Sequence, residues 1–242
     1  MPTVTVDATL QGQIGNQITS PLINWLSQVR NATTGTFADT KTSNSTVNPG
    51  FSAALISGRG GSQFGSAIRV FLFFDDLDTE TSGGTITAAT LKIYNGLGTA
   101  TSSDSIIIEA SAWGSNGTTT SVSTSDFSNI DFSTAYSSTK LSWSGGYNDY
   151  ALNATAIADM NSNGYLNCAL IESDFDYEGD SPSLGKNELG SIEFLDPSNP
   201  IKIELTYSAA GYSNNVLGVA AANIGKINGV ATANIGKVVG IS

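Results

Sequence analysis

The sequence predicts an all-β protein: an antiparallel β-sandwich of jelly-roll-like type, followed by a C-terminal repeat tail. Three observations carry this expectation. Runs rich in β-branched and aromatic residues recur along the chain with turn residues between them, roughly eight to ten in number. Charged residues are only 13% of the 242, so Ser, Thr, Asn and Gly must cover most of the surface, a composition suited to short strands and many turns. After Tyr207 the composition changes and an 11-residue repeat begins.

Thr3 to Leu10 alternates Val4, Val6 and Ala8 against Thr3, Thr5 and Asp7, the period of a strand. Gln11 to Ser20 is polar and carries Gly12 and Gly15. In Pro21 to Arg30, Leu22, Trp25, Leu26 and Val29 stand at helical spacing behind Ser20 and Pro21, and helix and strand remain rivals there. Asn31 to Gly50 reads as a long polar loop and Phe51 to Ser57 as a strand. The glycine-rich GRGGSQFGS (58–66) lacks the Gly-Lys-Ser/Thr ending of a phosphate cradle and precedes a strand, not a helix.

The stretch from Ile68 to Asn95 is the centre of the sandwich. Ile68 to Phe74 is a nearly continuous apolar run, as in a strand buried on both faces or placed at the middle of a sheet. An acidic, Gly-containing turn leads to a second strand, Thr85 to Tyr94, which ends at Asn95-Gly96. Further strands are expected at Ser105 to Trp113, Lys140 to Trp143, Tyr165 to Glu172, Ser191 to Leu195 and Ile201 to Tyr207. A short helix capped by Asn153 is expected over Asn153 to Met160.

Histidine is absent, which excludes Ser-His-Asp, Cys-His and His-metal sites. The lone Cys168 sits in an apolar strand and reads as a small buried hydrophobe. The carboxylates fall mainly in loops with no identifiable catalytic pair, so the expectation is that the chain is not an enzyme. A net charge of −11 gives no electrostatic reason to bind nucleic acid or an anionic membrane. The start shows no basic region followed by an apolar one, so no signal peptide is expected, and no membrane helix either. Sequons at Asn31, Asn44, Asn116 and Asn153 carry little weight in a chain this rich in Asn, Ser and Thr.

Two polar constellations are candidate sites. Asp174, Asp176, Glu178 and Asp180 alternate in DFDYEGD, where hard oxygen ligands suit Ca²⁺. Gly185 stands at the twelfth loop position, where an EF-hand has Glu, and an acidic solvated loop is the competing reading; no other cofactor is expected. Trp143, Tyr147 and Tyr150, with Trp113, could form a stacking platform for sugar rings, against the alternative that aromatics in strands are core.

In the tail, GVAAANIGKIN (218–228) aligns with GVATANIGKVV (229–239), and its only charges are Lys226 and Lys237. The period fits a right-handed coiled coil, an extended segment whose side chains enter another subunit, or a disordered tail. An assembly role makes Val216, Leu217, Val219, Ile224, Ile227, Val230, Ile235, Val238 and Ile241 the interface. The division expected is a sandwich over 1–207, a linker over 208–215 and the tail over 216–242.

Arg69, Phe74-Asp75, Ile86 to Tyr94, Asn153 to Gly164 and Pro200 to Tyr207 together resemble the DNRLRE-type domain, a β-sandwich allied to carbohydrate-binding modules. The resemblance spans about two thirds of the chain in the right order; Lys202 holds a usually apolar position and the first 60 residues diverge. It implies a jelly-roll-like fold, often extracellular and glycan-associated, with no fixed catalytic set. The ANIGKINGVATANIGKV segment resembles repeats that end tailed-phage structural proteins. That implies a virion component (capsid decoration, tail or fibre) made in the host cytoplasm, with itself or other virion proteins as partners. The alternative implied is a carbohydrate-binding module that recognises surface glycan.

Overall fold

The computed structural model describes residues 1–18, 26–42, 51–52, 58–59, 62–63, 65–95, 104–110, 113, 121–137, 144–180, 193–194, 199–209, 226–227 and 230–231. Ten strands build two antiparallel sheets. In chain order they are β1 (Thr3–Asp7), β2 (Leu10–Ile18), β3 (Phe37–Thr42), β4 (Gly65–Phe74), β5 (Thr85–Asn95), β6 (Ser105–Glu109), β7 (Asp131–Ala135), β8 (Gly146–Ala151), β9 (Leu166–Glu172) and β10 (Lys202–Ser208). The smaller sheet runs β1-β10-β5-β8 and the larger β7-β6-β9-β4-β2-β3. The all-β sandwich read from the sequence is the architecture found.

β4 and β5 lie in opposite sheets and face each other through the core. Val70, Leu72 and Phe74 of β4, with Cys168 and Leu170 of β9, pack against Ala89, Leu91 and Ile93 of β5 and Ile203 and Leu205 of β10. The link between β4 and β5 crosses from one sheet to the other. It uses a short helix α1 (Leu77–Glu80), whose Leu77 side chain is fully buried in the same core. Cys168 is wholly buried, and that burial holds its thiol well above the ordinary thiol range.

The larger sheet is covered on its other face as well, so β4 is buried along its whole length. Ala67, Phe71 and Phe73 of β4, Ile106 and Ile108 of β6, and Ala169 and Ile171 of β9 meet Val29, Trp113, Val122, Phe127 and Ile130 from loops. Trp113 stands edge-on to Phe71 at 5.3 Å and is core. This second layer explains the unbroken apolar run of β4, because neither face needs polar residues.

β2, in a stretch the sequence marks only as polar and glycine-containing, and β3, in the expected loop of Asn31 to Gly50, form the flank of the larger sheet. β2 pairs with β4 from Leu10↔Phe73 to Ile18↔Gly65, and β3 pairs with β2 from Leu10↔Thr42 to Gly15↔Phe37. Its glycines sit where other groups approach the backbone: a Cβ on Gly15 would overlap the Phe37 ring directly across the ladder. Asn16, buried in the same strand, donates from Nδ2 to the carbonyls of Gln28 (2.9 Å) and Val29 (3.2 Å). The buried polar side chain of this strand thus docks the 26–30 turn.

Residues Leu26–Arg30 form one π-helical turn; Pro21 to Trp25 lie outside the described residues. The expected helix is α2 (Ala154–Asn163). The Asn153 side chain accepts from the Thr155 and Ala156 N–H groups at 3.0 and 3.1 Å, and Gly164 closes the helix at φ 75°. Lys140 to Trp143 lie outside the described residues. The expected strands at 51–57 and 191–195 are described only as the pair Phe51–Ser52 and Glu193–Phe194.

Candidate functional site

The loop after β9 was the candidate calcium loop, and its geometry is set by a different partner. Glu172, buried at the end of β9, accepts from the Asp174, Phe175 and Asp176 N–H groups at 3.0, 2.7 and 3.1 Å. That cap winds Ser173–Tyr177 into one π-helical turn and turns Asp176 inward. There Arg69 of β4 meets it in a two-point ion pair: Nε to Oδ2 at 2.9 Å and Nη2 to Oδ1 at 2.7 Å. Arg69 also donates to the carbonyls of Phe127 (2.6 Å) and Arg30 (2.8 Å). Its guanidinium lies 3.9 Å from the Phe127 ring centroid.

Arg30 completes the arrangement. It donates to the backbone carbonyls of Asp176 (2.5 Å) and Tyr177 (2.9 Å) and stacks 3.8 Å over Phe132. Burial pushes its guanidinium below the ordinary value, which the Asp176 charge counteracts while Arg69 adds to the lowering. Two arginines, one carboxylate and two phenyl rings thereby lock three loops onto the outer face of the larger sheet. The arrangement is an anchor: each Asp176 oxygen is already bonded to a guanidinium.

This corrects the calcium reading. Asp176 is fully buried while Asp174, Glu178 and Asp180 are exposed, so the four carboxylates do not converge. Among the described residues, no three His, Cys, Asp or Glu side chains come together so as to hold a metal ion. Alternation along the sequence gave convergence only if the loop were extended, and the Glu172 cap coils it instead.

The aromatic candidates separate. Tyr150 points into the core, 2% exposed, and its hydroxyl meets that of Ser105 at 2.5 Å. It is a correction to the sugar-platform reading, because β8 alternates and Tyr150 lies on the inward side. Tyr147 lies on the outward side, half-buried, edge-on to Tyr94 at 5.1 Å. The Lys202 ammonium sits 4.3 Å from the Tyr147 ring centroid, and the Tyr147 hydroxyl donates to the Pro200 carbonyl at 3.3 Å. Tyr94 and Lys202 were not singled out as site residues; their signal was the outward phase of β5 and β10. Trp143 lies outside the described residues. Beside this patch, Lys92 pairs with Asp149 at 2.8 Å.

One acidic neighbourhood was not anticipated. Burial raises the Glu109 carboxyl above its ordinary range, and the charges of Asp159 and Asp131 push it the same way. Asp131 is held low by the Ser133 and Thr134 hydroxyls and by the Ser133 N–H. Tyr136, buried nearby, donates to Asp159 at 2.7 Å, and its phenol is held far above the usual range by burial and by that bond. The group lines the edge of the intersheet core.

In the tail, Lys226–Ile227 pairs antiparallel with Val230–Ala231 around Asn228-Gly229. Over these four residues the backbone is extended. Val216, Leu217, Val219, Ile224, Ile235, Val238 and Ile241 lie outside the described residues. Compared with protein-family models and with curated proteins, the chain matches no family model and no curated protein.

Proposed function

We propose that this chain is a structural assembly protein of a virus particle of the tailed-phage kind, with a sandwich head and a C-terminal repeat that joins subunits. The observation that carries the reading is the pairing of Lys226–Ile227 with Val230–Ala231 across the border between two copies of the repeat. A hairpin of two residues per strand is not stable alone in water. The repeat is rich in Val, Ile and Ala, and that much apolar area argues against permanent exposure. Burying a Val or Ile is worth roughly 1.5–3 kcal/mol, so a few anchor a subunit. Copies repeated along the tail add avidity. The resemblance of the tail to phage structural repeats, and the Ser/Thr/Asn/Gly-rich surface, support the virion setting. Removing Asn214 to Ser242 is expected to leave a folded, soluble sandwich that sediments as a monomer; unchanged assembly after that truncation rejects the reading.

A second reading rests on the Tyr94–Tyr147 ring pair with Lys202 on the solvent face of the smaller sheet. Aromatic rings flanked by polar groups stack on sugar rings, and the resemblance to a carbohydrate-allied sandwich supports a weak glycan-binding face. Tyr147→Ala is expected to abolish saturable binding on a glycan array; an array blank for the intact chain discards this reading.

A further inference from the structure

We propose that the free edge of β1 receives the lysine-bearing strand of the 216–242 repeat from a second copy of this chain. This rests on the assembly reading above. Among the described residues β1 pairs only with β10. The Ala8 N–H donates to the Ile201 carbonyl and the Tyr207 N–H to the Pro2 carbonyl. Those two bonds fix the phase of the ladder: even-numbered residues face β10, so the N–H and C=O groups of Thr3, Thr5 and Asp7 point away from the sheet. β1 also lacks three of the usual protections of an edge. Its sequence, TVTVD, has no Pro and no Lys, and its register with β10 runs without a bulge.

An open cleft of about 460 Å³ includes Thr5, Val6 and Asp7 of this strand in its lining. Thr5 to Thr9 line it together with Asp75, Asp76 and Glu80. An edge of main-chain donors and acceptors beside the carboxylates of Asp7, Asp75, Asp76 and Glu80 suits an extended peptide with a cationic side chain. The tail has that chemistry. Its only charges are Lys226 and Lys237, and Lys226–Ile227 is extended. Taking those two lysines out of the net charge of −11 leaves −13 on the rest of the chain, so the tail is the cationic partner of an acidic head. A strand edge on one subunit filled by the tail of the next is a head-to-tail contact, which closes into a ring or propagates as a filament.

The full-length chain is tested by light scattering across concentration. Thr5→Pro removes an outward N–H and no bond to β10. Asp75→Lys with Glu80→Lys reverses two of these charges. Each is expected to weaken self-association at least tenfold, with the thermal transition retained. Combining the reversed charges with Lys226→Glu and Lys237→Glu is expected to restore association. Association unaffected by the edge and charge variants, yet lost on removing Asn214 to Ser242, overturns this inference and leaves the assembly reading standing. Association that survives the truncation removes the assembly reading itself. If Thr5→Pro does not fold, the charge swap alone decides.

Discussion

Arg69 and Asp176 stand 107 positions apart and meet in a two-point ion pair with both side chains buried. Removing Asp176 leaves Arg69 buried beside a second cation, Arg30, and removing Arg69 leaves buried Asp176 with only the half-buried Arg30 as counter-charge. Asp176→Ala and Arg69→Met are each expected to cost about 3–5 kcal/mol of unfolding free energy. The double variant Arg69→Met/Asp176→Leu is expected to recover much of that loss, because neither buried member of the pair is left without the other. Urea titration of the three variants against the parent chain measures the coupling.

Glu109 gives a pH-dependent prediction. Its carboxyl is raised in the folded chain, so the folded state favours its protonated form. The stabilising contribution is fully present below the unfolded value of about 4.5 and is lost as pH rises through the folded pKa. Glu109→Gln, which cannot ionise, is therefore expected to gain thermal stability over the parent as pH rises toward neutrality, with the gap closing in acid. A gap independent of pH would contradict the assignment.

Asn153 and Gly164 bracket α2. Asn153→Ala removes the cap on Thr155 and Ala156 together with a bond from Nδ2 to the Ala135 carbonyl. A loss of about 1 kcal/mol is expected from the cap alone. Gly164→Ala forces a left-handed residue at φ 75° and is expected to cost about 1–2 kcal/mol. Chemical denaturation of both variants checks the pair.

Gly15→Ala places a methyl group onto the Phe37 ring. A destabilisation of about 1–3 kcal/mol is expected from overpacking. Combining it with Phe37→Ala is expected to relieve the clash, so the two changes are not additive. Thermal unfolding of the single and double variants reads this out.

The pattern of legibility follows from what periodicity reports. Ile68 to Phe74 and Thr85 to Tyr94 were readable because their burial is carried by their own apolar side chains. β2 was not, because beside buried Leu10 and Ile14 much of its burial falls on Gly12, Gly15 and Asn16, whose surroundings come from Val122, Phe37 and the 26–30 turn. That the two central strands belong to different sheets was also invisible locally, since it depends on which strands fill the 4- and 6-stranded orders. Asp176 looked like a ligand because sequence shows spacing, while its direction is set by the Glu172 cap and by an arginine far away in the chain. Tyr147 and Tyr150 differ by three positions, and only the phase of β8 against β5 shows that one faces solvent and the other the core.

The adjacency of β1 and β10 orders events on the ribosome. A nascent chain carries β1 as an unpartnered strand on both sides until Lys202–Ser208 has emerged. The smaller sheet closes only then, and the repeat follows directly behind it in translation. Under the assembly proposal, the repeat thus becomes available only after the strand that closes the smaller sheet has been made.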